Sequence, residues 1–499
     1  MHHALIFNVH IFHRRVPGAY RIATFLREEG WDVEVIDWAN EWPGEEIKEL
    51  CRSRITKDTV FCGFSCFFGY WPDHMEELSQ WIKKTYPDVK LILGGSSTPR
   101  MKSTSIDYFI HGYGEKALLE LISSIIGNTP GKGIKFDKSF GRKKVIRAID
   151  DYPSFPMKKL MIKYEKRDFI DHKEWLGIEF SRGCKFKCLY CNFPVLGVKG
   201  DYTRDADDFY YQMRDAYDRW GVTGYVCADE TFNDSTEKLI KFADAAEKLP
   251  FDPWFSGFIR ADLLVSRPQD QEHLARLGFL GHFYGIETMN YQTAKVIGKG
   301  MHPDKLLSGL LEAKKYFLNN GQKRYRGEIA LVLGLPHETE ETIQKSLKWI
   351  SDNWQDESHK IWPLEIPTDI KEDVLSGLSL NYEKYGYRKS SKRIKKEINL
   401  PREVTHVSKN MNWENDDLSL IRCKEIIDNW FNHSIKMKYN FRLTPWELDL
   451  YLSHGKNIDN VLNLTLQEIY PKILEKSWEI HNSRVKKYIK KKLNVKGKK

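Results

Sequence analysis

What this chain lacks narrows its class first. No apolar run approaches the roughly 18 residues that a membrane-spanning helix requires, so a membrane protein is not expected. The opening residues, Met1-His-His-Ala-Leu-Ile-Phe7, are a short strand-like run without the charged, apolar and small-residue regions of a signal peptide. Cysteine is scarce, eight in 499 residues, too few for a disulfide-built scaffold. Both features lead to the expectation of a reducing cytoplasm. Internal repeats are absent. Charge is not extreme: a net +9 is modest but unevenly spread. The last sixteen residues, Arg484 to Lys499, carry nine Lys or Arg and no acid. Such a run attracts phosphates, although terminal charge runs are more often solvated ends.

What is present points to an α/β protein of several parts. A chain of 499 residues is long enough for two or three domains. Residues 1–126 alternate apolar strands (Ala4–Phe7, Trp31–Asp37, Thr59–Ser65, Val89–Gly95, Ile106–Ile110) with helix-periodic stretches. That alternation predicts a Rossmann-like, doubly wound parallel sheet, whose ligands sit at the carboxyl ends of the strands. Residues 127–170 read as a linker rich in Gly, Lys and Pro. Residues 171–366 alternate again, with strands expected near 176–181, 222–228, 253–259, 280–286, 326–333 and 360–366. Six strand–helix units predict a partial (β/α)6 barrel of TIM type. Residues 367–499 lose the strand pattern and read as a mostly helical C-terminal region ending in the basic tail. Its tryptophans Trp413, Trp430 and Trp446, with Trp362, are either core anchors or the lining of a substrate pocket.

The densest chemistry lies in Ser181-Arg-Gly-Cys184-Lys-Phe-Lys-Cys188-Leu-Tyr-Cys191. Three cysteines at Cys-x3-Cys-x2-Cys spacing follow the strand-like Trp175-Leu-Gly-Ile-Glu-Phe180. Soft thiolates suit iron–sulfur clusters, zinc or copper. A four-iron cluster held by three thiolates keeps one iron open. A structural zinc site, the competing reading, needs a fourth ligand. None is nearby: Cys227 lies within a predicted strand and His172 precedes the first one.

The cysteine pattern resembles that of the radical S-adenosylmethionine (radical SAM) enzymes, and the resemblance extends over residues 171–366. It implies a 4Fe-4S cluster on Cys184, Cys188 and Cys191, with SAM on the open iron. Cys227-Ala-Asp229-Glu230-Thr-Phe232 resembles the family element whose acid receives the SAM ammonium. Arg260, in Phe258-Ile-Arg260-Ala-Asp262, is expected at the SAM carboxylate. Tyr284-Gly285-Ile286-Glu287-Thr288 resembles a Gly-Ile-Glu-Ser element, with Glu287 near the ribose. Leu331-Val-Leu-Gly334-Leu-Pro336-His337-Glu338 resembles a turn bordering the adenine, with His337 in place of a glycine, so an altered turn is expected.

Residues 1–126 resemble the cobalamin-binding domain attached to one radical SAM class. The resemblance rests on Gly63-Phe-Ser65, Leu93-Gly94-Gly95 and Asp107-Tyr-Phe-Ile-His-Gly112-Tyr-Gly114-Glu115. It implies corrin contacts at Asn8, Ser65, Gly94 and Gly95. The cobalamin motif Asp-x-His-x-x-Gly has become Asn8-Val-His10-Ile-Phe-His13, so binding without a lower histidine ligand is expected. Cys62 and Cys66 read as core packing.

Three functions follow. The first is cobalamin-dependent methylation of an unactivated carbon, driven by a 5′-deoxyadenosyl radical and supplied by an external donor such as flavodoxin or ferredoxin. The second is a radical rearrangement, cyclisation or oxidation without methyl transfer. The third is a non-enzymatic, metal-containing nucleic-acid-binding protein. The substrate is not legible.

Overall fold

The computed structural model describes residues 1–10, 12–66, 71–95, 103–141, 143–148, 159–191, 202–320, 324–366, 376–390, 412–437 and 466–495. They fall into two compact units, one of Met1–Glu179, Asp207–Val222 and Lys476–Lys499, the other of Phe180–Ala206 and Thr223–Glu475.

The first unit is built on six parallel strands: β1 (His3–Val9), β2 (Asp32–Ile36), β3 (Thr59–Cys66), β4 (Lys90–Gly95), β5 (Tyr108–His111) and β6 (Val145–Arg147). Strand β1 is buried along nearly its whole length, as expected where helices cover both faces of a parallel sheet. Its crossover helix Pro17–Glu28 starts with proline at the first turn, where a missing N–H costs nothing, and buries Ala19, Tyr20, Ala23 and Leu26. The strand order is β2-β1-β3-β4-β5-β6. The winding direction reverses between β1 and β3, and ligands of such sheets bind at that switch. One strand was not expected: Val145–Arg147 lies within the segment read as a linker, and three residues are too few to show a period.

The second sheet consists of β7 (Leu176–Ile178), whose residues fall within the first unit, and five strands of the second unit, β8 (Gly224–Cys227), β9 (Trp254–Ile259), β10 (Phe279–Glu287), β11 (Arg326–Leu333) and β12 (Ser358–Pro363). They stand in sequential order, β12-β11-β10-β9-β8-β7. This is the open, partial-barrel arrangement that the strand–helix alternation implied. On β11, Leu333 packs with Ile343 and Leu347 of helix Glu340–Asn353. Of the four tryptophans, Trp413 is fully buried and Trp430 packs against the same core cluster. Trp446 lies outside the described residues.

The basic tail differs from expectation. Helix Leu466–Asn494 turns a stripe of His481, Arg484, Val485, Tyr488, Ile489 and Lys492 into the first unit. Lys492 Nζ donates to Glu34 Oε1 and to the Val35 carbonyl, both at 2.9 Å. Arg54 Nε pairs with Glu34 Oε2 at 3.0 Å. Lys487, Lys491 and Arg484 come within 3.6–3.8 Å of Asp171. Four of the nine tail charges therefore face acids of the same unit, and residues 496–499 lie outside the described ones. A sequence shows the charge of such a run but not the acids that its helical face meets.

Burial would raise the Glu34 carboxyl, but Lys492 and Arg54 hold it down at about 2. Its stabilisation is therefore complete above about pH 4.5 and lost as the pH falls toward 2. Lys492→Met strands Glu34 with only Arg54. It should cost about 3–5 kcal/mol, read by urea unfolding of the full-length protein. An unchanged midpoint would show that this pair does not anchor the helix.

Candidate functional site

The three motif cysteines stand apart from the other five. Cys184, Cys188 and Cys191 are partly exposed, whereas Cys51, Cys62, Cys66, Cys227 and Cys423 are buried. Burial pushes the Cys51 thiol up to about 12 and those of Cys62 and Cys66 higher still. Those groups are kept from ionising, as core thiols are. The motif loop leaves its strand through Gly183 at φ +100°, a conformation natural to glycine. It is then pinned by Cys191 N–H to Cys188 O and Leu189 N–H to Ile297 O, both at 3.1 Å.

All three thiols line one cleft of about 580 Å³, together with Phe186, Tyr190, Glu230, Phe258, Arg260, Glu287 and Lys299. Among the described residues, no three His, Cys, Asp or Glu side chains converge as ligands of a single ion. A three-sulfur donor set fits a four-iron cluster with one open iron.

The rest of the cleft comes from successive strand ends. Glu230 lines it just after β8. Its neighbour Asp229 does not: its carboxylate accepts from Phe180 N at 2.8 Å and Ser181 Oγ at 2.5 Å, and it is 2% exposed. Of the two acids named as candidate SAM contacts, only Glu230 lines the cleft, because Asp229 is taken up in holding the start of the cysteine loop.

At the end of β10 the pairing with β11 slips, with Gly285 opposite Ala330 and Glu287 opposite Leu331. The extra residue, Ile286, is buried, and Glu287 takes φ +67°. A bulge of this kind re-aims side chains beside active sites, and an acid held left-handed costs about 1–3 kcal/mol. Glu287 is turned into the cleft, where Tyr190 Oη donates to its Oε1 at 2.9 Å and Lys299 Nζ lies 3.6 Å away. A Cβ on Gly285 would come within 2.5 Å of Glu287 Oε1 and displace that carboxylate.

Arg260, at the end of β9, has its guanidinium against Asp262, Phe186 and Cys188. Burial opposes its charge, yet Asp262 and the Cys188 sulfur raise its pKa.

Gly334 and Pro336 are not among the cleft-lining residues. They form a turn tied from outside: Tyr387 Oη donates to Gly334 O at 2.6 Å, and Thr293 Oγ1 to Pro336 O at 2.8 Å. A Cβ on Gly334 would lie 2.3 Å from the Trp413 ring. His337 takes a left-handed backbone, φ +67°, which histidine tolerates better than most residues. Lys299, Phe186 and Phe258 also line the cleft but carry no sequence signal; a lone Lys or Phe is usually structural.

In the first unit, Asn8, Ser65 and Gly94 share one register row across β1, β3 and β4. They sit at the carboxyl ends that flank the switch between β1 and β3. Gly95, at φ +140°, packs so close that a Cβ would come within 2.1 Å of Cys66 O. Asn8 is buried and donates to Val16 O and Asp37 Oδ1 at 3.1 and 3.0 Å. His10 is also fully buried, near Trp38 and Phe12, with Nδ1 accepting from Phe12 N at 3.3 Å. Burial lowers its pKa to about 3. The glycine-bordered row fits a group that needs close backbone approach, such as a corrin.

Comparison with known proteins agrees with both halves. The Radical SAM superfamily model matches residues 178–350, and the B12 binding domain model matches residues 16–122. The chain joins a B12-binding domain to a radical SAM domain. It is 21% identical over 348 residues to an uncharacterized methyltransferase of Pyrococcus horikoshii, covering 66% of this chain and 72% of that protein. It is 25% identical over 241 residues to the anaerobic magnesium-protoporphyrin IX monomethyl ester cyclase of Synechocystis, covering 45% and 47%. The radical SAM methyltransferase TsrM of Kitasatospora setae shares its fold at TM-score 0.59 and 16% identity, covering 82% of each chain. The cobalamin-dependent SAM radical enzyme OxsB does so at TM-score 0.59 and 15% identity, covering 98% of this chain and 72% of that one. This architecture is that of an enzyme using a 4Fe-4S cluster, SAM and cobalamin, and radical SAM enzymes require an external reductant. Among the described residues no helix is long and apolar enough to cross a membrane.

Glu338 carries a testable consequence of the turn. It accepts from Thr288 Oγ1 at 2.7 Å, Gly334 N at 2.9 Å and Leu335 N at 3.2 Å. Burial nevertheless raises it to about 7. Between about pH 4.5 and 7 the folded state therefore binds more protons than the unfolded one, so this group's contribution to stability falls as pH rises. Glu338→Gln should remove that slope. Melting temperatures of both proteins at pH 5 and 7.5 read it, and parallel pH dependences would refute it.

Proposed function

We propose that this protein is a cobalamin-dependent radical SAM methyltransferase acting on an unactivated carbon. The observation that carries the reading is the cleft in which the three exposed thiols meet Glu230 and Glu287 at the strand ends of a radical SAM domain. The adjoining B12-binding domain and the P. horikoshii relative, described as a methyltransferase, support methyl transfer over radical chemistry without it.

The residues divide the work. Cys184, Cys188 and Cys191 would hold the cluster, with one iron left for SAM. Glu230 would accept a hydrogen bond from the SAM amino group. Glu287, oriented by Tyr190 and Lys299, accepts from the ribose hydroxyls. Asp229, Gly334 and Pro336 shape the walls from behind. Asn8, Ser65, Gly94 and Gly95 frame the corrin edge in the B12-binding domain. When bound, the cluster supplies the electron that cleaves SAM and cobalamin supplies the methyl group. A flavodoxin or ferredoxin is the donor proposed, and the cytoplasm is the proposed setting. The boundaries proposed are a cobalamin domain at 1–126, a connector at 127–170, a radical SAM barrel at 171–366 and a C-terminal region at 367–499 whose last helix returns to the first unit.

Anaerobic reconstitution should load about four irons per chain, and changing all three cysteines to alanine should abolish both iron uptake and reductive SAM cleavage. Tight zinc binding without iron would refute the site. The mass of the product made from candidate substrates with SAM and reductant tests the reaction: a gain of one methyl group is expected, and an unchanged mass would point to rearrangement instead.

Cobalamin should bind without His10, whose ring is buried against Trp38 and Phe12. His10→Ala should leave the electron paramagnetic spectrum of bound cob(II)alamin unchanged. Nitrogen coupling that disappears in the variant would make His10 the ligand.

A further inference from the structure

Arg260 was expected to reach a SAM carboxylate, but its hydrogen-bonding groups are directed elsewhere. Its Nε donates to both oxygens of Asp262, at 2.8 and 3.1 Å, and its Nη2 donates to Asp262 Oδ2 at 2.9 Å. The remaining nitrogen, Nη1, lies 3.3 Å from Cys188 Sγ as a donor. The guanidinium carbon sits 3.7 Å above the Phe186 ring centroid. Phe186 and Cys188 belong to the same cysteine loop, so the planar cation meets that loop by its face and by its edge.

The anchorage behind it is rigid. The Arg260 N–H donates to Asn233 Oδ1 at 2.8 Å, and Asn233 Nδ2 donates back to Arg260 O at 3.0 Å. Asn233 is fully buried and the Arg260 side chain is 7% exposed. Nη2 also lies 3.4 Å from Gly298 O, on the segment that passes beside the Cys188 Cα. Backbone and fork are both held by the fold, with one N–H left aimed at one sulfur.

We propose that Arg260 is a positioning residue that tunes the cluster: held by Asp262, it donates to the Cys188 sulfur and raises the cluster's reduction potential. Hydrogen bonds to the sulfurs are among the factors that set such potentials, and partners behind a ligand orient and tune it. One electron arriving from an external protein donor adds negative charge to the ligating sulfurs. A cationic donor fixed against one of them favours the reduced state, and no bond forms or breaks in that step. The proposal rests on the cluster assignment made above.

The test is a redox titration of full-length, anaerobically reconstituted protein without SAM, followed by the electron paramagnetic signal of the reduced cluster. Iron content is measured on the same samples. Arg260→Gln should keep its iron and lower the reduced-to-oxidised ratio at fixed potential about tenfold, about 59 mV for one electron. Arg260→Lys keeps the charge without the fork and should fall between the two. Asp262→Asn, which loosens the fork, should move the potential in the same direction. If Arg260→Gln fails to load iron, the other two variants carry the measurement. Equal midpoints in loaded wild-type and variant proteins would overturn the proposal while leaving the cluster intact. A difference that appears only after SAM is added would assign Arg260 to the SAM carboxylate and also overturn it. A wild-type protein that takes up no iron would instead remove the cluster assignment itself.

Discussion

The second unit depends on one geometric constraint, the common direction of its paired strands β8 to β12. Because they run parallel, their carboxyl ends open on the same side, and side chains far apart in sequence meet there. The cysteine loop follows β7, Glu230 follows β8, Arg260 follows β9, and Glu287 ends β10. The backbone departs from ordinary conformations at the same ends: Gly183, Glu287, Gly334 and His337 all have positive φ. Strain persists where surrounding contacts over-determine it. Tyr190 and Lys299 do this for Glu287, and the Glu338 carboxylate with Asn290 does it for the turn at His337.

The first unit solves a different problem, how to keep charge inside an α/β core. Arg15, buried, is shared by Asp37 and Glu174, and Tyr20 also donates to Asp37. Asn8 joins the same group through Asp37. The C-terminal helix adds Lys492 against Glu34 and Tyr488 Oη between Asp37 N and Val35 O. Such pairs are seldom better than an apolar core of the same shape, but breaking one is costly because a buried charge is left behind. The carboxyl ends of β1 and β2 are thereby fixed by polar contacts rather than by packing alone.

Solvent exposure sorts the eight cysteines into two chemistries. A thiol buried in hydrocarbon is held neutral, as Cys62, Cys66 and Cys423 are. Cys184, Cys188 and Cys191 are instead partly exposed, the access that a metal-ligating thiol needs. The same sorting applies to acids in one sequence element: Asp229 is consumed by the backbone of Phe180, and Glu230 is presented to the cleft.

The amino-acid sequence by itself determined the alternation of strands and helices in both sheets, the cysteine spacing and the acids near each strand end. These are local properties, carried by apolar runs, turn glycines and motif spacing within a few residues. Only the tertiary structure decided which member of each motif faces the cleft. Asp229 and Glu230 are both acids just past the end of β8, and the path of that segment brings only Glu230 to the cleft. Arg260 matched a motif, but Asp262 and Cys188 set its direction. Lys299 and Phe258 carry no local pattern and enter the site only because their strand or loop ends there. The basic tail read as solvated charge because its acids, Glu34 and Asp171, lie more than three hundred residues away in sequence. Long-range pairing of that kind leaves no trace in local composition.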